Sequence, residues 1–388
     1  MRLKIKYKSV IYGLIFIFVT LAIGLAFCEI EVNFPMYEIS LLFLVVWYFF
    51  EVDKKKDYLH KILLIVYLYF GVNLLINYLN NNLLPLETIT LMANFIFLHI
   101  IADERKKSDL ENPFIFGGII GSIMLVYGFQ NGAKLWWGNS AYTIGDFNPQ
   151  GIGNWAVTFS AVLIMVLNYC NIRKVRFKFL IKIASYSLIC YFVYITWSTQ
   201  SRTALAVVAL MLILHFLPSY KFLISKIMAC VFALLPLCIC IIAILFYLYG
   251  GGNSLSGNSL LNGREELWIY CLQELFKHPL VGNSIYGETI YTHNVFLDLL
   301  ISYGCFITIL FIVIQICAMM RVVKYIKTKL QYDLYIAFVG CLILGSCEGS
   351  VFLTGVGGLF IYAYSFLVII SSFESTSNLK DQERNVFK

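Results

Sequence analysis

Twelve long apolar runs separated by short polar gaps dominate this sequence, and they restrict the folds that the chain can adopt. The runs lie at about 9–28, 36–52, 59–79, 86–102, 113–130, 153–170, 179–198, 203–217, 227–249, 294–320, 332–348 and 356–373. Each approaches the ~20 apolar residues that a helix needs to cross a bilayer. Of the 388 residues, 60% are hydrophobic and 13% are charged, whereas a soluble domain carries about 25% charged residues. The pattern predicts an all-α polytopic membrane protein of about twelve spans, with residues 1–388 forming a single integral membrane domain.

The positive charges alternate with the runs. All but four of the 29 Lys and Arg residues fall in the N-terminal segment, in the C-terminal tail or in every second gap. An excess of Lys and Arg marks the cytoplasmic side of a membrane protein, so we expect both termini in the cytoplasm and no nucleic-acid partner. The four exceptions, which fall on the outer face, are Lys134, Arg202, Arg264 and Lys277.

The longer of two outer segments is a loop over 250–293, between spans nine and ten. Asn262, with Glu265 three residues later, resembles a helix-capping box, and an apolar stripe follows until His278 and Pro279. This pattern predicts a short amphipathic helix on the outer membrane surface. Arg264 lies in its first turn, where peptide N–H groups favour anions, although a simple pair with an adjacent glutamate is the alternative.

The other outer segment, 131–152, is rich in aromatic residues and contains Trp136, Trp137 and Tyr142. Such residues form interfacial belts in membrane proteins, and they also stack on sugars. A turn is predicted at 146–149. The sequence leaves both interpretations of the aromatic residues open.

Arg202 lies in a polar break at 197–203 that separates two apolar runs on the outer face. Snorkelling to the headgroups would account for its position. A guanidinium also donates bidentately to phosphate oxygens without a metal. Because no outer carboxylate cluster suited to Mg²⁺ is evident, Arg202 and Arg264 together favour a substrate with a phosphate leaving group and no metal or other cofactor.

Histidine supplies the remaining chemistry. His60, His99 and His215 fall in or near inner ends of the runs, and His278 precedes Pro279 at a predicted helix end, where capping explains it. His293 lies where the outer loop enters the tenth run. An imidazole there can take a proton from a hydroxyl, so His293 is either a general base or a hydrogen-bonded structural residue.

Four segments in this region resemble the motifs of the O-antigen ligase and polysaccharide polymerase superfamily. They are STQSRTA at 198–204, GREELW at 263–268, HPLVG at 278–282 and HNVFL at 293–297. The pair Asn148-Pro149 is similar to an N-P-N motif of that family, with Gln150 in place of the usual Asn. The motifs occur in the family's order and on one predicted face.

The resemblance implies a GT-C-like fold and a metal-independent, inverting membrane glycosyltransferase. Its substrates would be oligosaccharides linked to undecaprenyl diphosphate, at the extracytoplasmic face of a bacterial cytoplasmic membrane. His293 matches the family's proposed general base, and Arg202 and Arg264 match the arginines that hold the diphosphate. Ser201 and Asn294 are expected to support them.

Three functions fit these features. The favoured one is a polymerase that joins lipid-linked repeat units into a surface polysaccharide such as a capsule, O-antigen or exopolysaccharide, with a flippase and a chain-length regulator as candidate partners in the bilayer. A ligase would transfer a finished glycan to another acceptor. A glycolipid flippase would also need about twelve spans, but it should carry ionisable residues deep in several of them. Here Glu38, Asp298 and Glu348 lie near outer ends.

Overall fold

Almost every apolar run of the sequence forms an α-helix. The computed structural model describes residues 7–31, 35–51, 58–81, 86–102, 110–136, 140–145, 147–172, 175–218, 221–249, 264–284, 291–348, 351–352 and 358–372. Its helices are α1 (Tyr7–Phe27), α2 (Met36–Glu51), α3 (Tyr58–Asn81), α4 (Leu86–Ala102), α5 (Glu111–Gly132), α6 (Pro149–Ile172), α7 (Lys178–Ser198), α8 (Arg202–Phe216), α9 (Lys226–Ala233), α10 (Leu235–Tyr249), α11 (Arg264–Leu275), α12 (Val295–Val323), α13 (Lys329–Cys347) and α14 (Leu359–Ser372). Asn262, Trp137 and the cations of the tail lie outside the described residues.

The length and hydropathy of these helices confirm an all-α membrane protein. Among the described residues, six helices are long and apolar enough to cross a bilayer, and five more contain apolar stretches of 10–17 residues. The run at 227–249 differs from a single span, because α9 and α10 are bent by 57°. Pro236 lies at this bend, and its ring cannot continue the hydrogen-bond ladder of a straight helix. The number of crossings stays a prediction.

Burial separates the central helices of the bundle from the peripheral ones. In α6 and α13, 89% of the most apolar stretch is buried, compared with 28% in α7. The outward side chains of peripheral helices are apolar as well: Leu79 of α3 is 69% exposed and Phe179 of α7 is 71% exposed. Exposing so much apolar surface to water would cost free energy, whereas the hydrocarbon chains of a bilayer would cover this surface.

A two-stranded hairpin, which the sequence did not predict, follows α5. Strand β1 (Ala133–Leu135) pairs antiparallel with β2 (Tyr142–Ile144), with Lys134 opposite Thr143. The predicted turn is only partly described, since residue 146 lies outside the described residues. The hairpin leads directly into α6, which begins at Pro149.

Helix α12 is kinked at Gly304, and the segment after α11 fills the kink. Gly304 has φ 77°, and a methyl group there would overlap the Leu280 carbonyl. In a straight helix the Cys305 amide would donate to the Ile301 carbonyl. Instead the Cys305 amide donates to Pro279 (2.9 Å), and the Ile301 carbonyl accepts from Asn283 (2.8 Å). The kink therefore locks the HPLVG segment onto α12.

We expect Gly304→Ala to destabilise the protein by about 1–3 kcal/mol, because it adds both left-handed strain and an overlap with backbone. Gly71→Ala in α3 is the matched control, since a methyl group at Gly71 meets nothing within 4 Å. The control should be neutral or slightly stabilising. Thermal unfolding of the two purified variants makes the comparison, and equal midpoints would contradict the role given to Gly304.

Candidate active site

A polar cavity of about 180 Å³ lies where α6, α8 and α11 begin and α13 ends. Its lining includes Gln150, Asn154, Ser201, Arg202, Arg264 and Glu348. The cavity thus brings together Arg202, Arg264 and Ser201, which were predicted as site residues from segments more than 50 residues apart in the sequence. Polar groups concentrate here because helix ends carry the backbone groups that lack helical partners.

Each arginine is the first residue of its helix. Arg202 begins α8 and Arg264 begins α11. A helix N-terminus carries a partial positive charge and unpaired N–H groups, so it attracts anions. The N-termini of α8 and α11 and the guanidinium groups of Arg202 and Arg264 therefore border one small cavity. The arrangement is suited to binding an anion.

Arg264 is held in place by three neighbours. One guanidinium nitrogen donates to the Cys347 carbonyl, and the other donates to Oε1 of Gln150 at 3.0 Å. That second nitrogen lies 3.8 Å from Oε2 of Glu348. The alternative partner Glu266 instead accepts a hydrogen bond from the Tyr247 hydroxyl at 2.9 Å. Arg264 thus faces the cavity and does not pair with Glu266, while the side chain of Glu265, the other adjacent glutamate, lies outside the described residues.

Arg202 is exposed, and its side chain makes no hydrogen bond or ion pair within the described part of the chain. The preceding turn fixes its position. Gln200 has φ 52°, and its side-chain amide donates to the Ser140 hydroxyl. Ser201 occupies the N-cap of α8 without a side-chain capping bond and is 5% exposed. Helix α6 approaches Ser201 so closely that a methyl group at Gly153 would lie 2.6 Å from the Ser201 Cβ.

His293 lies beside the cavity and reaches it through Glu348. Its Nδ1 is 3.4 Å from Oε2 of Glu348, while the other carboxylate oxygen accepts a hydrogen bond from the Tyr291 hydroxyl. The ring of Tyr291 packs edge-on against the imidazole, with centroids 4.4 Å apart. The His293 side chain is 29% exposed. Glu348 therefore connects the predicted base to Arg264.

Glu348 is the functional residue that the sequence analysis missed. It was noted only as an acid near the outer end of a run, and its proximity to His293 and Arg264 depends on the fold. Burial of the carboxylate by itself raises the pKa of Glu348. Hydrogen bonds from His293 and Tyr291 and the charges of His293 and Arg264 outweigh burial, so this pKa is lowered overall. Glu348 therefore stays ionised near neutral pH.

The backbone next to His293 is held from both sides. The carbonyl of Thr292 accepts a hydrogen bond from the Trp268 indole at 2.7 Å, and its amide donates to Asp298 at 2.6 Å. The backbone of His293 has φ 61°, a left-handed conformation that residues other than glycine rarely adopt. The contacts of Thr292 maintain this conformation. They also give a structural reason for the tryptophan of the GREELW segment.

The Asn294 side chain is occupied by the backbone. Its oxygen accepts from the amides of Phe296 and Leu297, and its nitrogen donates to the carbonyls of Pro236 (3.0 Å) and Ser346 (3.1 Å). Asn294 therefore caps α12 and joins it to α10 and α13. It supports the site through the position of the helix, and its side-chain hydrogen bonds in the described residues go to backbone groups and not to the His293 ring.

The predicted amphipathic helix is present as α11. Its residues Trp268 and Cys271 are fully buried and cluster with Cys240 of α10 and with Leu297 and Ile301 of α12. Part of the apolar stripe thus packs against protein. This packing orients the N-terminus of α11, and hence Arg264, toward the cavity.

The remaining outer cations and the other described histidines lie away from the cavity. Lys134 lines a separate cleft near Glu29 and Glu38, and Lys277 pairs with Glu274 at 2.5 Å. The amide of His278 donates to the Leu275 carbonyl at the end of α11, as expected of a helix-end residue. His215 binds Asp333, and His99 binds the Tyr48 hydroxyl.

Neither family models, curated proteins nor solved structures match this chain. The site is therefore interpreted from its own geometry and from the motifs in the sequence.

We expect Glu348→Gln to lower the thermal midpoint by a few degrees at about pH 7 and to lose this effect in acid. The pKa of Glu348 is lower in the folded than in the unfolded chain, where it is about 4.3. The ionised group therefore stabilises the fold above the unfolded pKa, and this stabilisation disappears as pH falls through the folded pKa. Unfolding midpoints between about pH 7 and about pH 3 measure the effect.

Glu274→Gln is the control, because Glu274 is also a largely buried carboxylate, but its partner Lys277 is 63% exposed, so that solvent weakens the pair. A Glu348→Gln effect that is equally large at both ends of the pH range would show that the ionised carboxylate is not the source of the stabilisation.

Proposed function

We propose that the protein is a membrane glycosyltransferase that polymerises oligosaccharide repeat units carried on a lipid diphosphate. The observation that carries this proposal is the chain of contacts from Arg264 through Glu348 to His293, beside a cavity that also contains Arg202. It combines an anion site with a base, as a hydroxyl attack on a diphosphate-linked sugar requires. The motif resemblance supports the same reaction class and specifies undecaprenyl diphosphate as the lipid carrier.

The arginines hold the diphosphate of the donor. Guanidinium groups bind phosphate oxygens in a planar, bidentate manner, and the two helix N-termini add N–H donors. Arg202 has no protein partner to give up among the described residues, and Arg264 is already positioned by Gln150 and Cys347. The two cations stabilise the charge on the departing diphosphate, so the proposed reaction is metal-independent.

His293 acts as general base toward the acceptor hydroxyl. Because Nδ1 faces the Glu348 carboxylate, the tautomer with its proton on Nδ1 is favoured, which leaves Nε2 to accept the hydroxyl proton. The acceptor oxygen then bonds to the anomeric carbon as the bond from that carbon to the diphosphate oxygen breaks. The electron pair leaves with the lipid diphosphate. Attack opposite the leaving group inverts the anomeric configuration.

A second concavity supports a lipid-linked donor. It has a volume of about 330 Å³, is lined by Trp197 and Leu205 among others, and shares Ser201 and Arg202 with the polar cavity. Trp197 is 71% exposed. An apolar surface that meets a cation in this way suits an anionic headgroup with a hydrocarbon chain.

The same proposal includes the number of membrane spans and their orientation. We infer about twelve spans in a GT-C-like arrangement, both termini in the cytoplasm of a bacterium and the cavity at the extracytoplasmic face. The alternation of Lys and Arg along the chain supports this orientation. The glycans that accumulate in a deletion strain separate the related activities, because single lipid-linked repeats indicate a lost polymerase and full-length unattached chains indicate a lost ligase.

We expect His293→Ala to reduce polymerisation by ~10²–10⁴-fold, since that is the usual contribution of a general base. Binding of the lipid-linked repeat should largely survive, because the arginines remain. His278→Ala is the matched control and should be much milder, as His278 lies at the end of α11. Polymerisation by the two purified variants, assayed side by side, decides the question. If His278→Ala is the inactive variant, His293 is not the base.

Arg202→Ala and Arg264→Ala should each nearly abolish polymer formation while leaving membrane insertion intact. Lys should substitute poorly at both positions, because an ammonium cannot donate bidentately. Lys134→Ala, in the separate cleft, is the control. Polymer length is measured at matched protein levels, and near-normal chains from either Ala variant would remove that arginine from the diphosphate site.

A further inference from the structure

Asn154 of α6 is a buried amide without a protein partner at the wall of the polar cavity. The residue is 2% exposed, and its Nδ2 has no hydrogen-bond partner in the described residues. The buried amide of Asn283 is likewise unpartnered among the described residues, but it does not line this cavity, and the side-chain amides of Asn94 and Asn168 each donate to protein oxygens. Leaving a buried donor unpaired costs stability, so a specific buried group of this kind calls for an explanation.

The position of Asn154 relative to the arginines supplies that explanation. Gln150 and Asn154 are four residues apart and share one face of α6, and Gln150 binds Arg264 at 3.0 Å. On the other side, the neighbouring Gly153 lets α6 approach Ser201, next to Arg202. Asn154 therefore lies on the cavity wall between the two arginine-bearing helix ends.

We infer that Asn154 binds the anion held by the two arginines, donating a hydrogen bond from Nδ2 to one of its phosphate oxygens. The identification of that anion as a diphosphate rests on the proposed function. A diphosphate has more acceptor oxygens than two bidentate guanidinium groups bind. At least one oxygen is therefore left for a further donor. A neutral amide adds a donor without adding charge, which suits a wall that already faces two arginines.

Two substitutions distinguish binding from packing. Asn154→Leu keeps the branched shape of the side chain and removes the unpaired donor, so a residue that only packs would tolerate it, and stability should stay about equal or rise. Asn154→Asp keeps the shape and places a carboxylate toward the anion. Asn168→Ala, at the opposite end of the same helix, is the control, because its amide binds Asp333.

The probes are farnesyl diphosphate and inorganic pyrophosphate, titrated into the full-length protein in lipid nanodiscs. Asn154→Leu should weaken binding by about tenfold or more, and Asn154→Asp should weaken it further. Asn168→Ala should bind as the wild type does while unfolding at a lower temperature. The inference is overturned if both Asn154 variants bind the probes within about twofold of the wild type.

Comparison of the two probes separates a lipid headgroup from free diphosphate. Dependence on Asn154 with either probe supports the inference, and preference for the farnesyl compound assigns the site to a lipid-linked anion. The affinity for the two probes is measured without any polymerisation assay. If Asn154 governs probe affinity but repeat units are not joined, the proposed function fails alone, and if repeat units are joined with unchanged affinity in the Asn154 variants, this inference fails alone.

Discussion

A carboxylate buried at the end of a membrane helix must be paired, and the pairing of Glu348 determines how the site is assembled. Desolvating an unpaired charge costs several kcal/mol, so the partners of Glu348 have to be in place in the folded state. They come from the start of α11 and from the entry to α12, through Arg264, Tyr291 and His293. One buried charge thus brings the guanidinium of Arg264 and the imidazole of His293 together.

The lipid environment explains why the polar and charged residues of the cavity lie at helix ends. Backbone groups inside a span are satisfied by the helix itself, whereas the terminal turns leave N–H and C=O groups available. The beginnings of α6 and α8 and the end of α13 line the cavity. The opposite ends of the same three helices are tied by Asp333, which binds Asn168, His215 and Lys329. These contacts join α6, α8 and α13 at the end away from the cavity.

Much of this could be predicted from the sequence because it is local. The apolar runs, the polar break around Arg202 and the apolar stripe after Arg264 depend on residues near one another in the chain, and all the runs but 227–249 yield one helix close to the predicted bounds. The bend between α9 and α10 and the kink at Gly304 were not predicted. The bend has a local cause in Pro236, which the sequence contains, whereas the kink at Gly304 depends on backbone partners from the distant segment that contains Pro279 and Asn283.

The sequence by itself determined that the chain is an all-α membrane protein, that Arg202 lies in a polar break before an apolar run and that Arg264 lies in the first turn of a helix, because hydrophobic length and helix-start patterns act within a few residues. Only the tertiary structure decided that both arginines line one cavity with Glu348, that Asn294 binds backbone groups, and that Nδ2 of Asn154 has no partner among the described residues. Which partner a side chain finds depends on packing between segments that the sequence separates by more than 50 residues. Local patterns carry no information about that choice.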